Sequence, residues 1–132
     1  MFNFFKEIKW FIQRGRRGWS DCDVWDFDSY LCDIIPQALR KLKGGSGCPS
    51  DFYDKDAINN ECHLWNETLE AMAQGFESTK FLKGHHYMKW VESKDKKGYK
   101  TLDTDYEALE NARKKMEIGL KLFAENFINL WD

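Results

Sequence analysis

The 132-residue chain carries 20 basic and 22 acidic side chains, a formal charge of −2, 16% aromatic residues and only two prolines. A chain of this length suits one domain with its own core, and the composition excludes a disordered tail. The near-neutral balance gives no reason to expect nonspecific nucleic-acid binding. The charge is nevertheless segmented: residues 1 to 17 carry +4, 20 to 35 carry −5, 39 to 43 carry +3, 51 to 77 carry −6, 80 to 100 carry +5 and the remainder −3. Helices with acids in their first turns and bases in their last produce such alternation.

The opening stretch MFNFFKEIKWFIQRGRR predicts a helix from Asn3 to Arg14 with Phe4, Ile8, Phe11 and Ile12 on its buried side. Lys6, Glu7 and Lys9 interrupt any signal-peptide core, and no run reaches the roughly 18 apolar residues of a membrane span. The expectation is a cytosolic chain with no membrane partner. Gly15 and Gly18 then bracket Arg16 and Arg17 as a turn. Ser20 with Asp23 three residues on is a helix-start signature, and a second helix is expected over residues 20–43. Its seam runs through Val24, Phe27, Leu31, Ile34 and Ala38, and Pro36 implies a kink near Cys32 to Pro36 or a break into two helices.

GGSGCPS at 44–50 is a loop. A third helix is expected over 54–82, because Ile58, Cys62, Trp65, Leu69, Met72 and Phe76 step 4, 3, 4, 3, 4. Residues 84–101 have no clean period and read as a long connection. A fourth helix over 103–131, about 40 Å at 1.5 Å per residue, presents Tyr106, Leu109, Arg113, Met116, Leu120, Phe123, Phe127 and Leu130 at spacings of 3 and 4. The fold class is all-α: one domain over 1–132, a bundle of about four helices whose long C-terminal helix packs against another subunit in a homo-oligomer. Arg113, on an inward position, either pairs with an acid or snorkels outward.

The chemically densest segment is RGRRGWSDCDVWDFDSYLCD, residues 14–33. Arg14, Arg16, Arg17, Trp19, Asp23 and Trp25 form the candidate ligand-binding set, because guanidiniums, a helix start and indole faces suit an anionic aromatic ligand such as a nucleotide. Asp21 and Asp23 stand against this, since they would repel a phosphate and could simply pair with the arginines.

Glu67 with Glu70, and Glu107 with Glu110, have the ExxE spacing by which all-α nucleotide pyrophosphohydrolases hold magnesium. With Trp65 and Leu69 inward, however, Glu67 and Glu70 face solvent. Cys22, Cys32, Cys48 and Cys62 are too widely spaced for a CxxC zinc site, and in a cytosolic chain they give little reason to expect disulfides. Cys62 is read as core, no metal or cofactor is expected, and His85 and His86 read as solvated. No GxSxG, P-loop, HExxH, Rossmann or Glu-x-x-His motif occurs.

The segment RGWSDCDVWDFDSYL, the Gly47-Cys48-Pro49 loop, the Trp65, Leu69, Met72, Gly75-Phe76-Glu77 stretch and the ending GLKLFAENFINLWD resemble a group of small proteins encoded by tailed bacteriophages. The likeness covers most of the chain, is weakest over residues 80–100, and departs from the His-Gly-Tyr-Pro-like loop of many relatives. It supplies no catalytic residues. It implies a phage origin and action in the cytoplasm of an infected bacterium. The reading that follows is a non-enzymatic accessory protein, acting in counter-defence by sequestering a nucleotide-like signalling ligand as a homo-oligomer. The alternatives are an inhibitor covering a host protein with the acidic, aromatic face of helix two, and a magnesium-dependent hydrolase.

Overall fold

The computed structural model describes residues 3–45, 47–52 and 62–131. They form five α-helices, a two-stranded sheet and two short 3₁₀ turns. The mainly helical class and the C-terminal helix agree with expectation; oligomerisation is a separate question. The chain divides into two compact units, Met1–Leu31 and Cys32–Asp132.

The first unit holds α1 (Phe4–Arg17) and α2 (Asp21–Trp25), and the first turn of α3 (Phe27–Lys43). Helix α1 is longer than expected because it runs through Gly15. It ends at Gly18, whose left-handed φ of 82° lets its N–H reach the Arg14 carbonyl. Arg16 and Arg17 therefore lie in the last turn of a helix and not in a glycine-bracketed turn. Ser20 starts α2 as its spacing promised: its N–H and hydroxyl both donate to Asp23 Oδ2 at 2.7 Å. The expected break near Pro36 falls instead at Asp26, whose φ of −139° leaves the helical region, and α3 continues through Pro36.

The second unit is built on α4 (His63–Lys83) and α5 (Tyr106–Glu125). The seam on α4 is as expected where it is described: Trp65, Leu69, Met72 and Phe76 are buried. The expected start at 54, and Ile58, lie outside the described residues. Cys62 is not a free core thiol; it forms a disulfide with Cys48. On α3 the buried residues are Cys32, Pro36 and Leu39, each one or two positions beyond the predicted seam residues Leu31, Ile34 and Ala38. Leu39, Trp65, Leu69, Met72 and Ala73 form the core, joined by Phe123 and Leu130.

Helix α5 corrects the sequence reading twice. It stops at Glu125, giving about 30 Å and not 40 Å, and a 3₁₀ turn follows at Phe127–Asn129. Its buried residues are Ala112 and Gly119, so the seam includes small residues the apolar count passed over, while Tyr106 and Arg113 are exposed. A Cβ on Gly75 would lie 2.6 Å from Gly119 Cα, and one on Gly119 would lie 2.7 Å from the Ala71 carbonyl oxygen. Backbone therefore touches backbone where α4 meets α5.

The expected connection at 84–101 contains an antiparallel hairpin. Strand β1 (Met88–Glu92) pairs with β2 (Lys100–Thr104), with Trp90 opposite Leu102 and Lys89 opposite Asp103. Asp105 follows directly and caps α5: one carboxylate oxygen accepts the Ala108 N–H at 3.0 Å, and the other accepts Lys89 Nζ at 2.7 Å.

Candidate functional site

All six predicted ligand residues lie in the first unit, and four of them are already engaged. Arg14 forms a forked pair with Asp23, Nε to Oδ2 at 2.9 Å and Nη2 to Oδ1 at 2.5 Å. Asp23 is buried and also accepts the N–H of Ser20, the residue that caps α2, so its carboxylate has no vacancy for a ligand. Its carboxyl sits well below the ordinary range because Arg14 and Ser20 bond the charged form. Arg17 pairs with Asp21 and donates to the Trp19 carbonyl at 3.0 Å. Its guanidinium also lies 3.7 Å from the Trp19 ring centroid, so that indole face is covered.

Asp21 is the hub of the corner. Gln13 Nε2 donates to it at 2.7 Å, and Lys9 approaches to 3.3 Å. Together with Arg17 these hold its carboxyl down to about 2, the Gln13 bond being the largest cause. The suspicion that the arginines pair with the aspartates thus holds for Arg14 and Arg17.

Arg16 is different. It has no ion pair among the described residues, and it lines an open groove of about 730 Å³ along α1 with Phe5, Ile8, Lys9, Ile12, Gln13 and Arg17. All seven residues come from one face of α1, the apolar ones toward one edge and the cations toward the other. Trp25 is 80% exposed and meets Trp10 edge to face, with ring centroids 6.4 Å apart. The structure thus brings Arg16 and Arg17 to one groove and leaves Arg14 and Asp23 as the brace behind it.

The side expected to be buried on α1 is open. Phe4 is 70% and Phe11 77% exposed, and α1 contains no buried residue. Sequence reasoning also missed Phe5 and Lys9 as groove residues. The signal for both was present in the helical wheel, where they follow the Ile8–Ile12 stripe on one edge.

In the second unit, Glu70 is clamped by Arg40 (Nη2 to Oε1, 3.0 Å) and Lys43 (3.5 Å). Arg40 also bonds Glu77, and its hydrogen bond to Glu70 is the main reason that carboxyl lies near 2. Glu67, Glu107 and Glu110 are exposed. No group of three His, Cys, Asp or Glu among the described residues is arranged to hold a metal ion. His85 is exposed, with Nδ1 2.9 Å from the Tyr87 hydroxyl, and His86 lies beside Phe81. Among the described residues no helix is long and apolar enough to cross a membrane.

Comparison with known proteins gave no match: no family model, no curated protein and no solved structure is similar to this chain.

Proposed function

We propose that this is a non-enzymatic binding protein whose working surface is the α1 groove, and that it takes an anionic ligand with an apolar or aromatic body. The observation that carries this reading is the groove's two-sided lining: Phe5, Ile8 and Ile12 against Lys9, Arg16 and Arg17. Arg16 is the cation without an internal partner among the described residues, so a phosphate or carboxylate can bind it without breaking an existing pair. The nucleotide-like ligand remains the specific version. It is narrower than the sequence suggested, with Arg16 contacting ligand and Arg14, Arg17, Asp23 and Trp19 holding the corner. Self-association has its support in Tyr106 and Ile118, apolar residues that α5 leaves exposed. A non-catalytic role is favoured because Glu70, one of the acids weighed for magnesium, is held by Arg40 and Lys43.

The phage setting and the bacterial cytoplasm are supported by the sequence resemblance alone. The Cys48–Cys62 bond does not favour a reducing compartment.

Native mass spectrometry with a panel of cyclic and linear nucleotides tests the reading. A discrete ligand mass that Arg16→Ala weakens by roughly ten-fold, the loss of one charge-assisted contact, is the expected result. Binding indifferent to Arg16→Ala would remove the groove as its site. A second reading, a protein partner covering α2, rests on the exposure of Val24, Trp25 and Phe27 beside Asp26 and Asp28. A stable pulled-down complex abolished by Trp25→Ala would favour it.

A further inference from the structure

We propose that α1 docks lengthwise on an anionic phospholipid surface. This deepens the binding reading and rests on the same groove.

The argument begins with which side of α1 its own unit uses. At 100° per residue, Phe11, Phe4, Gly15, Ile8, Ile12 and Phe5 fall in a sector of about 120°. Trp10, Gln13, Arg14 and Arg17 lie on the other side, and these are the residues that meet α2. Gln13 and Arg17 bond Asp21, Arg14 bonds Asp23, and Trp10 meets Trp25. The helix therefore packs by its polar side and presents its apolar side outward, with Phe5 81% and Ile12 51% exposed. That is the reverse of a water-facing helix.

The charge on the helix selects the occupant. Residues 1 to 17 carry +4, with Glu7 the single acid. A second copy of α1 laid stripe to stripe would bring Lys9 and Arg16 up against further cations with no acid on that edge to offset them. A nucleic acid would use the cations and leave three phenylalanines in water. An anionic lipid surface satisfies both: the aromatic stripe enters the acyl boundary, and Lys9 and Arg16, along one edge of that stripe, meet the headgroups. Asp21 and Asp23 neutralise Arg14 and Arg17 from the α2 side. Arg16 is left without an ion pair among the described residues, and Lys9, beside it on the same edge, keeps most of its side chain exposed. Absence of a spanning run does not oppose this, because a helix lying in the interface needs none.

The test is co-sedimentation of the full chain with vesicles of phosphatidylcholine alone or mixed equally with phosphatidylglycerol. Expected are binding to the mixed vesicles that falls with salt, a loss of about five-fold for Arg16→Ala and of roughly ten-fold or more for Phe5→Asp, with unchanged thermal melting of both variants. No partition onto mixed vesicles, or equal partition onto neutral ones, overturns the proposal. So does a lowered melting temperature for Phe5→Asp, which would bury the stripe within the protein, or a Phe5-dependent dimer in solution. Nucleotide binding that needs Arg16, without vesicle binding, would sink the lipid inference and leave the binding reading standing; loss of both would end both.

Discussion

Where α4 meets α5, Gly75 and Gly119 bring backbone against backbone and leave no room for a methyl group. Where α1 meets α2, the contact is made of guanidinium, carboxylate and amide, and five large apolar side chains of α1 remain in solvent. The first contact is steric and independent of solution conditions. The second is electrostatic, depends on pH and salt, and leaves surface for a partner. The close-packed contact and the open apolar face thus belong to different units and rest on different physics.

The steric side is broken most severely by Gly119→Val, which should destabilise the second unit by about 4 kcal/mol or more in a denaturant titration, the upper end of overpacking costs. Next comes the Cys48–Cys62 staple. Reducing it, or Cys48→Ser, should cost about 3 kcal/mol for a loop of this length. A thiol titration of denatured protein should count two reactive groups before reduction, Cys22 and Cys32, and four after.

On the electrostatic side, Asp23→Ala removes the reciprocal half of the Ser20 capping box and the Arg14 partner together, with an expected loss of about 2 kcal/mol confined to the first unit. Acid should act likewise. Asp21 and Asp23 have folded-state values below the ordinary carboxylate value of about 3.9, so their contribution is complete above that pH; it is lost for Asp21 as pH falls through about 2, and for Asp23, held lower by Arg14, only in stronger acid. Carboxyl chemical shifts of Asp21 and Asp23 followed down this window should report the corner opening. The α4–α5 glycine contact has no group to titrate and should persist. The smallest effects sharpen the comparison within α1. Gly18→Ala should cost about 1 kcal/mol because of its positive φ, whereas Gly15→Ala, in open space inside the helix, should gain up to about 1 kcal/mol. Circular dichroism melts separate the two signs.

The parts of the fold legible in the sequence are those that large residues or local caps encode. Trp65, Leu69, Met72 and Phe76 marked the α4 face by period. Ser20 with Asp23 marked the start of α2, and the expected start of the last helix at 103–105 is met by Asp105. Contacts made by small residues were not legible, because Ala112 and Gly119 add nothing to an apolar count, and the missing side chains are what lets the helices touch. The hairpin escaped for a related reason: both strands are almost wholly exposed, so no buried face imposed an alternating pattern. Of the site, the dense residues of 14–25 were visible, as was the choice between ligand contact and internal pairing. Periodicity identified the apolar stripe of α1 but not the side by which the helix packs. That choice is made by Asp21 and Asp23 from another helix.

The Cys48–Cys62 bridge holds two Cα atoms 6.2 Å apart across an interval whose sole basic residue is Lys55. Trypsin acting there would cut the chain without dividing the molecule. The nicked protein would keep the mass of the whole plus one water and migrate as one species until a reductant releases two fragments, so integrity judged on a non-reducing gel says nothing about whether this backbone is continuous.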